Sequence, residues 1–356
     1  MAKKLMKGCE AVAEAAIQAG CKYFFGYPIT PQNDVPEYMS ARLPQVGGCF
    51  LQAESEVSAI NMVYGAAGAG ARVMTSSSSP GISLKQEGIS YMAGAELPCV
   101  VVNMMRGGPG LGSIQASQGD YYQTTKGGGH GDYHMIALAP ASVQEAVDLM
   151  QDAFELADVY RTPVMVLADG IIGQMMEPVE FKPSSSGRVL PKKDWATTGW
   201  SPQSSRPRAV VNSLYIETEE LQEMNDRLQA RYEQISSTEA RAELYNVEGA
   251  QVILCAYGTV ARMCKSAIAL AQKQGVKVGL VRPITVWPFP TEQLLSAALA
   301  EQVEGVLTVE ISAGQMVDDV RLALNGRKPV HFFGKPGSYL PSAEEIVEQI
   351  MNMRRA

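Results

Sequence analysis

The sequence predicts an α/β protein built on a parallel sheet, followed by a second and smaller α/β unit. Three observations predict it. Short apolar runs alternate with segments of helical length and periodicity, one Pro-, Ser- and Gly-rich stretch interrupts the alternation, and the alternation resumes near Ala250.

Apolar residues recur at helical spacing from Lys7 to Ala19, stop at Gly20, and lead into KYFFGY, a short aromatic strand. GGCFLQA then reads as a strand, SEVSAINMVYGAAGAGA as a small-residue helix, RVMTSS as a strand, ISLKQEGISYMAGAE as a helix and LPCVVVNMM as a buried strand. VQEAVDLMQDAFELADVY (helix) and TPVMVLAD (strand) continue the pattern. Around Lys182 periodicity is lost, so PSSSGRVLPKKDWATTGWSPQSSRPRAV is expected to be an extended connector, and the charged run SLYIETEELQEMNDRLQARYEQISSTEARAELY a pair of helices or one broken helix. QVILCAYGT, VKVGLVRPI and GVLTVEI are the strands of the second unit; VARMCKSAIALAQKQG, TEQLLSAALAEQ and SAEEIVEQIMNMR are its helices. The expected divisions are 1–182, 183–248 and 249–356.

The chain has 356 residues, 46% of them hydrophobic, and a net charge of -7. Lys and Arg gather in no basic block, which argues against nucleic acid and against an anionic membrane surface. No apolar run reaches the roughly 18 residues of a membrane span, and the first segment acquires Glu10 and Glu14 where a cleavable signal would stay apolar. A cytoplasmic location is expected. The six cysteines are dispersed with no CxxC pair, so neither a zinc ribbon nor an iron-sulfur cluster is expected in this chain, and buried free thiols are.

In open parallel sheets, ligands sit at the carboxyl ends of the strands, so the loops there hold the candidates. In FFGYPITP, Thr30 stands before Pro31, which disfavours the α region for it, while Pro28 fixes its own φ; the hydroxyl is held for a ligand or caps a helix. Glu54 and Glu56 straddle the start of the next helix, where an acid complements the helix dipole unless a ligand nitrogen shares its proton. Ser77, Ser78 and Ser79 precede Pro80 and line a helix N-terminus with hydroxyls, suited to a polar ligand or to capping. Arg106 ends a buried strand before GGPGLG and could bind a carboxylate bidentately or pair with an acid. The loop lacks G-x-G-x-x-G because position 113 is Ser. His130 and His134 have the spacing of a helical metal pair, but the surrounding glycines oppose a helix; polar loop contacts are expected, and no metal site.

Taken together, YPITP, ESEVSAINMVYGAAGAGARVMTSSS, PCVVVNMMRGGPG, HGDYHMIALAPASVQEA and RPITVWPFP resemble the alpha subunit of 2-oxoacid:ferredoxin oxidoreductases over nearly the whole chain. Among members the sequence is most similar to the 2-oxoisovalerate enzyme, with the 2-oxoglutarate enzyme a near relative. The resemblance implies a thiamine-diphosphate-binding pyrimidine-type domain and a C-terminal domain like that of transketolase. It assigns Glu56 to the pyrimidine ring of the cofactor, Thr30 to the substrate and Arg106 to the 2-oxoacid carboxylate, with Tyr27, Pro28, Ile29, Ser77 and Ser78 beside the cofactor. A shift of the acid to Glu54 stays open. Ser79 stands where relatives often have glycine.

The GDG-and-asparagine motif that holds magnesium on the diphosphate is incomplete here, with Gly131-Asp132-Tyr133 and Asp169-Gly170 the nearest candidates. The resemblance therefore implies a beta subunit bringing the diphosphate site, Mg2+ and a [4Fe-4S] cluster, and a gamma or ferredoxin-like subunit. The implied activity converts a branched-chain 2-oxoacid and CoA to acyl-CoA and CO2 and reduces ferredoxin. The alternatives are a 2-oxoglutarate enzyme and a non-catalytic nucleotide-binding or scaffold subunit.

Overall fold

The computed structural model describes residues 3–183 and 186–355. Its larger sheet has eight strands. Tyr23–Gly26, Cys49–Gln52, Val73–Ser77, Cys99–Gly107, Ile136–Leu138 and Pro163–Asp169 run parallel, with Cys99–Gly107 flanked by Val73–Ser77 and Pro163–Asp169. The two central neighbours, Cys99–Gly107 and Pro163–Asp169, are buried along their whole length, as a parallel strand covered on both faces must be. Ser113–Ala116 folds back antiparallel onto the end of Cys99–Gly107.

Helices Glu56–Gly68 and Ser79–Gly94 pack on each other beside this sheet, with Gly88 admitting the Ile60 side chain. The first begins where Ser55 accepts a hydrogen bond from the Ser58 N–H, a cap its sequence encodes. Ser142 caps Val143–Tyr160 in the same way, and Ser342 with Glu345 forms a capping box on the last helix, Ala343–Met353.

The second sheet orders Ala242–Tyr245, Val278–Pro283, Val252–Cys255, Gly305–Glu310 and Val330–Gly334, all parallel except the first. Two strands cross the sequence divisions expected above. Thr285–Trp287, from the second unit, pairs antiparallel with Ile136–Leu138 in the larger sheet. Ala242–Tyr245, from the connector region, edges the smaller one. Trp287 also stacks on His134 with ring centroids 4.6 Å apart, so that histidine packs between units.

Several local expectations are corrected. Lys7 belongs to a strand, Lys4–Lys7, and the helix starts at Gly8. The charged run forms one unbroken helix, Thr218–Thr238, because Met224, Leu228, Tyr232 and Ile235 repeat every three or four residues and bury one stripe. Cys49 is exposed at an edge strand, whereas the other five cysteines are buried and free. The connector has no regular secondary structure among its described residues and lies on the first unit, where Thr197 N–H bonds the Gly68 carbonyl. Ser184 and Ser185 of that connector lie outside the described residues.

Gln118 joins the units. Its backbone N–H bonds the Ile311 carbonyl at 2.9 Å, its Oε1 accepts from Ile311 N–H at 3.0 Å, and its Nε2 bonds the Tyr257 carbonyl at 2.9 Å.

Candidate active site

Four parallel strands deliver their carboxyl ends to one rim, and the loops that carry Thr30, Glu56, Ser77–Ser79 and Arg106 lie there. Glu56 opens its helix and is buried, while Glu54 two residues earlier is exposed. The Glu54 carboxylate accepts from Ser58 Oγ at 2.8 Å; its own N–H and that hydroxyl hold its carboxyl below the usual range. Of the two acids, only Glu56 faces inward.

Inward of Glu56 lies Gly81, in the first turn of Ser79–Gly94. A Cβ on Gly81 would sit 2.6 Å from Glu56 Oε1 and would also collide with Ser77 Oγ, so the glycine opens the space both side chains occupy. Ser77 and Ser78 are fully buried, and neither hydroxyl has a hydrogen-bonding partner. Buried hydroxyls without partners are costly and uncommon, so these two are available to bond a ligand or a water.

Ser79 does not act as a helix cap. Its hydroxyl donates to Asp120 Oδ2 at 2.6 Å and accepts from Arg106 N–H at 3.0 Å. Asn103 Nδ2 donates to the same carboxylate oxygen at 2.9 Å, and its Oδ1 accepts from the Ser79 N–H at 3.2 Å. Burial pushes the Asp120 carboxyl above its usual range, against the two donors.

Arg106 is buried, and among the described residues its guanidinium pairs with no acid side chain. Its Nη1 donates to the Thr30 carbonyl at 2.8 Å and its Nη2 to the Leu111 carbonyl at 2.9 Å, while Nε has no partner. The guanidinium thus ties the YPITP turn to the glycine-rich loop. Thr30 is exposed; its Oγ1 accepts from Asn33 Nδ2 at 3.4 Å, and the cap position of the following helix, Asp34–Arg42, belongs to Asn33. The turn is fixed from inside by buried Gln32, whose Nε2 donates to the Tyr27 carbonyl at 3.3 Å and whose Oε1 accepts from Ser76. Tyr27 and Ile29 are half-buried and Pro28 is exposed.

A cleft of about 650 Å³ opens beside Thr30, lined in part by Pro31, Asp34, Ile114, Ile171 and Met175. His130 lies elsewhere, where its carbonyl accepts from Ser90 Oγ at 2.7 Å. Asp169 caps the short helix Gly170–Gln174 through Ile171 and Ile172 N–H.

Sequence reasoning gave no role to Gln32, Lys85, Asn103 or Asp120. A signal existed for two of them: Asn103 interrupts the apolar run CVVVNMM, and Lys85 falls on the inner stripe of its helix.

Residues 14–244 match the family described as pyruvate flavodoxin/ferredoxin oxidoreductase, thiamine diphosphate-binding. The chain belongs to this oxidoreductase family. Residues 250–346 match the pyruvate:ferredoxin oxidoreductase core domain II, which covers the second unit. The chain is 49% identical over 350 residues to ketoisovalerate oxidoreductase subunit VorB of Methanothermobacter marburgensis, covering 98% of this chain and 97% of that one. It is 35% identical over 384 residues to 2-oxoglutarate synthase subunit KorA of Methanothermobacter thermautotrophicus, covering 98% of each. Among solved structures it is similar to a 2-oxoglutarate:ferredoxin oxidoreductase from Magnetococcus marinus with 2-oxoglutarate, coenzyme A and succinyl-CoA bound, at TM-score 0.86 and 25% identity. That likeness covers 99% of this chain and 65% of the other, so this chain spans about two thirds of the larger protein's length. A split-gene transketolase matches at TM-score 0.61 and 15% identity, a likeness of fold.

For a member of this thiamine-diphosphate family, the rim offers a consistent donor set. A buried carboxylate, a glycine close against it, and two unpartnered hydroxyls are groups whose chemistry suits a ligand with ring nitrogens and an amino group.

Proposed function

We infer that this chain is the catalytic subunit of a thiamine-dependent oxidoreductase that takes a branched-chain 2-oxoacid such as 2-oxoisovalerate, with CoA, to acyl-CoA and CO2 and passes the electrons to ferredoxin. The observation that carries the reading is the placement of Glu56: buried at a helix start, over Gly81, beside the free hydroxyl of Ser77, with the free hydroxyl of Ser78 next in the chain. When bound, thiamine diphosphate supplies the carbanion that attacks the oxoacid carbonyl. Glu56 holds a proton shared with the ring nitrogen, and Ser77 and Ser78 orient the ring.

Substrate choice follows from the cleft beside Thr30. Pro31, Ile114, Ala116, Ile171 and Met175 give it an apolar wall, and its one ionisable lining residue is Asp34. Asp34 is itself paired with Lys7 at 3.3 Å. With its one acid already paired to Lys7 and no cation in the lining itself, the apolar part of this wall favours a branched aliphatic side chain over the second carboxylate of 2-oxoglutarate. Arg106 lies behind Thr30; on substrate binding it exchanges the Leu111 carbonyl for the oxoacid carboxylate, a stronger charge-assisted acceptor.

The magnesium and diphosphate site, the [4Fe-4S] cluster and the ferredoxin contact belong to partner beta and gamma-type subunits in this reading. Exposed Leu51, Val57 and Leu84 stand on the edge strand and the opening turns of the two helices that start at the Glu56 rim, which supports a partner docking there. The name of the VorB relative, a subunit, agrees with a multisubunit assembly.

The test is CoA-dependent viologen reduction by the chain produced with its neighbouring genes. The reading expects the highest kcat/KM with 2-oxoisovalerate and weaker turnover of 2-oxoglutarate and pyruvate. Preference for 2-oxoglutarate would overturn the substrate assignment, and no turnover with any oxoacid by an intact, cofactor-loaded complex would overturn the activity.

A further inference from the structure

Helix Ser79–Gly94 carries a feature that the proposed chemistry has not used. Lys85 is completely buried, and its Nζ has no hydrogen-bonding partner. It stands one helical turn beyond Gly81, against which Glu56 rests, and one turn before Gly88, into which Ile60 packs. The lysine therefore lies in the seam between the two helices, on the side from which Glu56 projects. An ammonium without hydrogen bonds in such a seam is destabilising, and a methionine or leucine would fill the same volume without that cost.

The titratable groups on the elements packed most closely against this helix are few. They are Glu56 and Tyr64 on Glu56–Gly68, Cys99 and Arg106 on Cys99–Gly107, and Asp169 on Pro163–Asp169. Only Glu56 bears on the Lys85 charge: burial pushes the amine down to about 8, and the Glu56 carboxylate pulls in the opposite direction. At neutral pH the amine thus remains mainly protonated.

We propose that Lys85 is a positioning residue for the thiamine chemistry, acting through Glu56: its buried ammonium lowers the hold of the carboxylate on the shared proton, so that the proton resides on the ring nitrogen of the bound heterocycle. The proposal rests on the reading of Glu56 as the acid that faces that ring. Coulombic influence across a seam from which water is excluded is far stronger than at a surface, so no direct contact between the two side chains is needed. Lys85 touches neither substrate nor cofactor in this scheme; it sets where one proton sits.

The experiment uses the assembled complex with wild-type chain, Lys85→Met, Lys85→Arg, Glu56→Gln and the Lys85→Met/Glu56→Gln double variant. The first readout is the circular dichroism of bound thiamine diphosphate, which distinguishes a ring protonated at its nitrogen from a neutral one, followed from pH 6 to about pH 10. Wild type should show the protonated ring at neutral pH and lose it as pH rises through about 8, the value to which Lys85 is pushed down. Lys85→Met should show the protonation equilibrium displaced about tenfold toward the neutral ring at pH 7, and Lys85→Arg should keep the protonated ring past the pH at which wild type loses it. The second readout is pH-dependent unfolding of the cofactor-free chain, where Lys85→Met and Glu56→Gln should be non-additive.

Identical pH profiles for wild type and Lys85→Met, or additive unfolding effects, would overturn the proposal. If Glu56→Gln loses the cofactor while Lys85→Met is silent, the heterocycle reading stands and this proposal alone falls. If Glu56→Gln binds and turns over like wild type, the heterocycle reading falls and takes the proposal with it.

Discussion

The Glu56 carboxylate rests over a residue that has no side chain: Gly81 lies so close that a Cβ there would stand 2.6 Å from Oε1. The pairing couples two helix starts from different βα units. Gly81→Ala should therefore force Glu56 and Ser77 aside. The expected result is a folded chain destabilised by about 1–3 kcal/mol, with at least a tenfold loss of thiamine diphosphate affinity. Urea unfolding and fluorescence titration of the cofactor read the two effects separately.

The two neighbouring acids should behave differently. Glu56→Gln should lower kcat by about 10²–10⁴, the span of a lost acid-base group, with subunit assembly intact on size exclusion. Glu54→Gln should change kcat less than threefold, since that carboxylate is exposed and bonded to Ser58. A reversed pattern would move the acid to Glu54.

Lys85 should also leave a mark on stability. Its amine is pushed down to about 8 from an ordinary 10.5. Below pH 8 both folded and unfolded chains carry the proton, and the cost of burying it is present in full. Between about 8 and 10.5 the unfolded chain binds more protons than the folded one, so the Lys85 contribution to stability becomes more favourable as pH rises through this window. The gain is on the order of 3 kcal/mol. Lys85→Met should be more stable than wild type at pH 7 and close to it at pH 10.5 and above; equal denaturant midpoints at pH 7 would contradict the burial.

Gln118→Ala should weaken the junction of the two units. It strands the Ile311 N–H and the Tyr257 carbonyl in a buried setting, a loss of about 2–4 kcal/mol by chemical unfolding. Gln118→Glu should cost at least as much, since a carboxylate cannot donate to the Tyr257 carbonyl.

Local pattern carried much of this protein into view. Short runs bounded by turn residues marked the strands Val73–Ser77, Cys99–Gly107 and Pro163–Asp169, and helical periodicity the helices that follow or precede them, because a strand covered on both faces is buried throughout whereas a helix buries one stripe. The same pattern put Glu56, Thr30, Ser77, Ser78 and Arg106 at strand ends and helix starts, where a parallel sheet gathers ligands.

What the sequence by itself determined was thus the order of elements and which polar residues reach the rim. Tertiary structure decided what each of them meets. Arg106 finds the carbonyl of Thr30 across 76 residues of chain, and Gln118 finds Tyr257 across 139. Thr285–Trp287 leaves its own unit to edge the larger sheet, and Lys85 is buried between two helices on the side of Glu56. The physical reason is range: periodicity is a property of neighbouring residues, whereas the partner of a buried polar group depends on which distant segment packing brings beside it.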